Sequence, residues 1–294
     1  MLLKILSALC ALLMAMPCRA DLPLSIEDLL TERDAFRLDF GVSYANTDKN
    51  NVGTRFEWVQ IGTGSFILLP VAVSDRRQNS DVLAVTLGAR YGVTADTELY
   101  SRVTGVVETV RIVGAGAASD RTAGRFGQWA VGVNQQLSED DDTPALLAFI
   151  EISAAENTAA TGVDLIHGKT GQIGLTTYRS IDPVVLSLTA GYRYAGHRTI
   201  GGQRIDPGDL LFINPGLGFA VNNDITLTGG VQFKFQGKET AAGSGIGIRT
   251  SQTGLELGLG YAAAENLTLN FKIQANVSGI GGAQSNIDFI YNIN

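Results

Sequence analysis

Arg37, Asp39, Arg90, Glu98, Arg102, Glu151, Arg193, Lys234, Glu256, Lys272 and Asp288 sit at polar positions in segments whose alternate residues are apolar. Acids and bases set out this way can line a wet passage and select what crosses it. They can equally pair with one another and brace a wall. Catalysis is poorly supported. The two histidines, His167 and His197, fall in polar segments, and neither Ser180 nor Ser187 comes near them in the expected topology. Asp140, Asp141 and Asp142 resemble a cation site, but three acids in a short turn are more simply a solvated turn. The chain has no phosphate-binding loop, dinucleotide fingerprint or Cys/His metal spacing. No catalytic residue, cofactor or metal ligand is expected.

The elements that must hold these charges are strands. In Ile225-Thr-Leu-Thr-Gly-Gly-Val-Gln-Phe-Lys-Phe-Gln236, one face carries Ile225, Leu227, Val231, Phe233 and Phe235. The other carries Thr226, Thr228, Gly230, Gln232, Lys234 and Gln236, because successive side chains of a strand point to opposite sides. Leu267 to Val277 repeats the pattern, and twelve such strands are expected along the chain. Their connections alternate in length. Short ones cover 94–97, 138–144, 180–183, 221–224 and 262–266; long ones cover 46–80, 114–125, 156–169, 196–209, 237–247 and 278–285. A β-sandwich mixes loop lengths and hides its apolar face in a core, where so many charges would be costly. A membrane barrel turns that face to lipid and keeps short turns at one end. The expected fold is therefore all-β, a 12-stranded antiparallel transmembrane barrel over 35–294. Phe36, Tyr91, Phe219, Tyr261 and Tyr291 lie on its apolar face at the short-turn end, where a headgroup girdle belongs. The segment 46–80, with Trp58 and the run Phe66 to Pro70, reads as an outer loop with strand extensions.

Ahead of the barrel, 1–20 has one early cation, Lys4, an apolar run and a small-residue end, the pattern of a signal peptide for export. Both cysteines, Cys10 and Cys18, lie in it, so no disulfide is expected in the mature chain. Residues 21–34 do not alternate; Leu24, Ile26, Leu29 and Leu30 suggest a short amphipathic helix that plugs the near mouth. The formal net charge of −7 argues against nucleic acid as a partner.

Three strings carry a resemblance: Asp164-Leu-Ile-His-Gly-Lys-Thr170, Thr176 to Tyr194 with Ile181-Asp-Pro-Val-Val185, and Leu210-Leu-Phe-Ile-Asn-Pro-Gly-Leu-Gly-Phe-Ala-Val-Asn222. They resemble the outer-membrane transporter superfamily named for phenol degradation, and within it the barrel of the functional-amyloid secretion channel. The resemblance implies a 12-stranded barrel in the bacterial outer membrane, trimeric in the amyloid exporter, with an N-terminal helix gating the lumen. Outer-membrane lipid and the barrel-assembly machinery are then partners, with Phe289 and Tyr291 standing in for an aromatic last residue. The leading expectation is a gated channel of the amyloid-secretion type that passes a secreted polypeptide or a small solute. The alternatives are an uptake channel for aromatic or hydrophobic molecules and a non-conducting structural or adhesive anchor.

Overall fold

The computed structural model describes residues 30–49, 56–62, 64–70, 77–114, 117–159, 163–200, 202–245, 249–279 and 281–293. They form β1 (Phe36–Lys49), β2 (Phe56–Gly62), β3 (Ser65–Pro70), β4 (Arg77–Gly92), β5 (Thr97–Gly114), β6 (Ala117–Ser138) and β7 (Ala145–Asn157). Next come β8 (Leu165–Ile166), β9 (Thr170–Ile181), β10 (Val184–Ala195), β11 (Arg198–Ile200), β12 (Gln203–Asp206), β13 (Leu210–Ala220) and β14 (Ile225–Gln236). The last are β15 (Thr240–Ala241), β16 (Ser244–Gly245), β17 (Thr250–Ala264), β18 (Leu267–Ser278) and β19 (Gly281–Ile293).

Twelve long strands pair in the order β6-β5-β4-β1-β19-β18-β17-β14-β13-β10-β9-β7, and β6 also pairs with β7. That last pairing closes the sheet, so the barrel has no open edge to satisfy within a membrane. The first and last strands meet from Phe36 opposite Ile293 to Asp48 opposite Gly281. The side-chain alternation sorts by solvent. Along β1, Phe36, Leu38, Phe40 and Tyr44 are exposed on the outside, while Arg37, Gly41, Ser43 and Ala45 are buried inside. Leu257 is 63% exposed and Leu227 48% exposed on the same outer surface. Burying hydrocarbon in lipid rather than in a protein core gives these positions their stabilisation.

The expected strand count and pairing agree with this architecture, but three local expectations do not. First, the described residues of 114–125 are strand rather than loop. β5 and β6 run on as a ladder in which Val107 faces Gly124, Thr109 faces Thr122 and Arg111 faces Asp120. The Thr109 and Thr122 hydroxyls are 2.9 Å apart. At 18 and 22 residues these strands far exceed the ~10 needed to cross a bilayer, so their ends project beyond it. Second, β19 begins at Gly281, inside the expected loop 278–285.

The third correction matters most: 46–49 and 77–80 are the expected strand extensions, but the described residues between them are not an outer loop. β2 and β3 form a hairpin folded into the lumen, with Phe56, Trp58, Val59, Ile61, Phe66, Ile67, Leu68 and Leu69 all buried. One face packs on Ala45, Val82, Ala84 and Val106 of β1, β4 and β5. The other packs on Ala195, Ile205, Leu210 and Phe212. A two-stranded ribbon apolar on both faces is unstable in water and needs a wall on each side. Here the barrel supplies both.

Of the expected plug, Leu24, Ile26 and Leu29 lie outside the described residues. Leu30 is described, is not helical, and is buried against Ala145, Leu147, Tyr178 and Val185 at the short-turn mouth. No helix occurs among the described residues.

Candidate functional site

Three clusters collect most of the lumen charges. At the short-turn end, Arg90 on β4 pairs with Asp39 on β1 at 2.5 Å and with Glu98 on β5 at 3.4 Å. Glu98, fully buried, also accepts from Asn134 at 2.7 Å and from the backbone N–H and hydroxyl of Thr31 at 2.7 and 2.6 Å. In the second cluster Glu151 on β7 accepts from Arg102 at 2.7 Å, Tyr100 at 3.2 Å and Arg193 at 3.3 Å. Arg193 donates further to Gln172 at 2.7 Å and Gln128 at 3.2 Å. In the third, Lys272 and Glu256 lie 3.6 Å apart. Arg37 donates to Asn292 at 2.9 Å. Lys234 is buried on the lumen side, and Asp288 faces Gly41 across β1 and β19. All the sequence-selected charges thus point inward, and most are already partnered.

The hairpin is tied into this lattice. The Arg193 guanidinium lies 5.1 Å from the Trp58 ring, and that of Arg198 lies 5.3 Å from the Phe56 ring, both cation–π geometries. Trp58 donates to the Gly208 carbonyl at 2.9 Å, Gln172 to the Gly64 carbonyl at 2.9 Å and Ser43 to the Ile61 carbonyl at 3.0 Å. On the remaining side an amide chain runs from Gln274 to Gln232 at 2.9 Å and from Gln232 to Gln60 at 2.7 Å, while Gln284 donates to the Gln60 carbonyl at 2.7 Å. The polar space beside that chain is about 40 Å³, lined by Glu57, Trp58, Gln60, Lys234, Gln252 and Gln274 among others. That is room for a water or two, not for a solute.

Sequence reasoning missed several lattice members. Glu108 binds Arg125 at 2.8 Å and Ser80 at 3.2 Å, and Glu156 binds Arg198 and Thr170, each at 2.7 Å. Arg125, Glu156 and Arg198 fell in segments read as loops. Only the continued alternation of β5 could have placed Glu108.

In the acidic turn the Asp140 and Asp141 carboxylates are engaged by the protein's own donors. Asp140 accepts from Arg179 at 3.1 Å and from the Ser180 N–H at 2.7 Å. Asp141 accepts from the Thr143 N–H at 3.0 Å, which holds its carboxyl below the usual range. Among the described residues, no group of three His, Cys, Asp or Glu side chains could hold a metal.

The expected interface aromatics stay on the outer face. Phe36, Phe219, Tyr261 and Tyr291 are exposed, and the Phe36 and Tyr91 rings lie 4.7 Å apart. Near them a hollow of about 900 Å³ is lined by Phe36, Tyr91, Leu99, Ile150, Tyr192 and Tyr194 among others.

At the short-turn mouth, Gly92 lies where the N-terminal segment crosses the wall. A Cβ there would overlap the carbonyl oxygens of Glu32 and Thr31. Gly92→Ala is therefore expected to lift residues 31–32 off the mouth while sparing the strand ladder. Planar-bilayer recordings should then show a higher basal conductance than wild type, and an unchanged trace would remove this segment as a barrier.

A closed antiparallel barrel with hydrocarbon outside and charge inside is an outer-membrane β-barrel, and that fold places the chain in a bacterial outer membrane. Residues 105–286 match the family described as "Putative MetA-pathway of phenol degradation", and the chain belongs to it. Its fold is similar to that of an outer membrane channel from Pseudomonas putida F1, with a TM-score of 0.64 and 12% identity over 89% of this chain and 96% of that one. It is also similar to the translocator domain of the autotransporter NalP from Neisseria meningitidis, with a TM-score of 0.52 and 10% identity over 87% of this chain and 88% of that one. At such identities the likeness is one of fold. A comparison with curated protein sequences finds no match. The chain is a closed membrane barrel.

Proposed function

We propose that the chain is an outer-membrane channel for small hydrophobic molecules, aromatic ones foremost, and that the β2–β3 hairpin is the barrier they must pass. The observation that carries this reading is the aromatic seam between hairpin and wall. Phe56, Trp58 and Phe66 pack with Phe212 in one cluster, and the Phe66 and Phe212 rings lie 5.1 Å apart. A planar ring sliding along the seam can replace ring–ring contact as the hairpin shifts, whereas a sugar would leave its hydroxyls without partners there. The family description, which names phenol degradation, supports the same substrate class. The lumen charges, from Arg37 and Asp39 to Lys272 and Asp288, act in this reading chiefly as a lattice that fixes the wall and the hairpin.

Liposome swelling compares phenol and benzoate with sugars of similar mass. Faster entry of the aromatics is expected, and equal or faster entry of the sugars would defeat the substrate assignment. Entry of neither would favour a closed structural anchor. The amyloid-secretion reading asks far more of this lumen, since an extended polypeptide needs the whole hairpin cleared. It is supported if a secreted amyloid subunit is lost from the cell surface on deletion of this chain. Trimeric assembly belongs to that reading and is checked by mass in detergent.

A further inference from the structure

Two cations at the outer rim, Lys238 and Arg249, border one groove. Gln236 at the end of β14 pairs with Thr250 at the start of β17. The residues just beyond that pair bring Lys238 and Arg249 onto the lip of one groove of about 870 Å³. Among the described residues neither forms an ion pair with a carboxylate. Two acids border the same groove, and both are engaged. Asp209 accepts from the Tyr192 hydroxyl at 2.5 Å and the Ala195 N–H at 2.9 Å, and Asp206 accepts from the Thr240 hydroxyl at 3.4 Å. Like charges bordering one groove repel, and an anion held by both removes the penalty.

Below that lip the groove is apolar. Its wall includes Tyr192, Tyr194, Leu211 and Phe235, each between 42% and 55% exposed. These side chains alternate with Arg193, Leu210 and Lys234, which are buried on the inner side, so they face the bilayer. The groove lies at the long-loop end, which is the outer leaflet in barrels of this kind. A cationic lip above an aromatic and aliphatic wall matches a lipid whose head is anionic and whose tail is hydrocarbon.

We propose that this groove is a binding site for an outer-leaflet lipid with a phosphorylated headgroup. The phosphate sits between Lys238 and Arg249, and one acyl chain lies along Tyr194, Leu211 and Phe235. The site needs only the barrel and its orientation, so it is independent of the solute the lumen carries. Two cations suit the role because each gives a phosphate oxygen a charge-assisted donor, and neither must first break an internal pair.

The test is native mass spectrometry of the full-length protein in detergent, titrated with lipid A. Bis-phosphorylated lipid A is expected to bind wild type, and the double variant K238Q/R249Q is expected to bind it at least about tenfold more weakly. Dephosphorylated lipid A is expected to bind both proteins weakly. Heat-modifiable migration on gels establishes that the variant is folded, and solute entry into liposomes should be the same for both. Equal binding of phosphorylated lipid A by the double variant would overturn the proposal, as would equal binding of the dephosphorylated form by wild type. Full displacement by inorganic phosphate at matching concentration would show a free-phosphate site instead, and would overturn it too.

Discussion

Glu151→Gln should lower the stability of the folded barrel by about 3–5 kcal/mol, the cost of taking one partner from a buried ion pair. Glu151 is 4% exposed and is the carboxylate that both Arg102 and Arg193 contact. Arg193 is 1% exposed, and its other partners are the neutral amides of Gln172 and Gln128. A glutamine keeps one acceptor oxygen but turns an N–H₂ toward guanidinium groups that can only donate. Two largely buried cations are then left close together with no carboxylate in contact, in a region where little water can screen them. The contrast is Arg111 with Asp120, 3.8 Å apart with side chains 53% and 66% exposed, where removing the acid should cost no more than about 1 kcal/mol. Urea unfolding of detergent-folded protein measures both. Trp58, stacked on Arg193, gives a local fluorescence signal for the lumen, while Trp129 is 44% exposed on the lipid face. Replacing Glu151, Arg102 and Arg193 together by residues such as Leu and Met should recover much of the loss, because no unpaired charge then remains. A triple variant as unstable as E151Q would show that shape, not charge pairing, holds this layer.

The barrel was legible because its two solvents, lipid and lumen, write a period of two into the chain. Phe233 and Phe235 against Gln232 and Lys234 need no partner to be read, since each side of a strand reports its own surroundings. The hairpin was not legible by that rule. Phe56, Trp58, Val59 and Ile61, then Phe66, Ile67, Leu68 and Leu69, are apolar on both faces, which breaks the alternation that marks a wall strand. The signal available was different: two short apolar runs with glycines at Gly62 and Gly64 between them, which describes a ribbon buried on both sides. The site charges divided the same way. Arg90, Glu98 and Arg193 were found from alternation, yet which acid meets which base depends on register across strands far apart in sequence. Glu151 meets Arg193 across 42 residues, and nothing local encodes that.

Replacing 56–70 by a flexible Gly-Ser linker is expected to raise single-channel conductance several-fold and to erase the preference for aromatic solutes. The hairpin fills the lumen between β1, β4 and β5 on one side and β10, β12 and β13 on the other. With it gone, the cavity beside Gln60 and Lys234 would join the space above Arg193, and ions would meet the charged walls directly. The loss of discrimination follows from the same step, because the seam formed by Phe56, Trp58 and Phe66 against Phe212 would no longer exist. The barrel itself should still close, since its twelve-strand ladder is paired without the hairpin. Stability should fall all the same, because Leu210, Phe212, Val82 and Val106 would then face water, each at a cost of about 1–3 kcal/mol. Heat-modifiable migration checks folding before any recording is made. Trp58→Ala gives a milder version: it removes the bond to Gly208 and the stacking on Arg193 and leaves the ribbon in place. Its expected result is brief openings of the larger conductance rather than a constant one. If the linker variant folds but conducts no more than wild type, the barrier lies elsewhere, and Leu30 and Thr31 at the other mouth become the place to look.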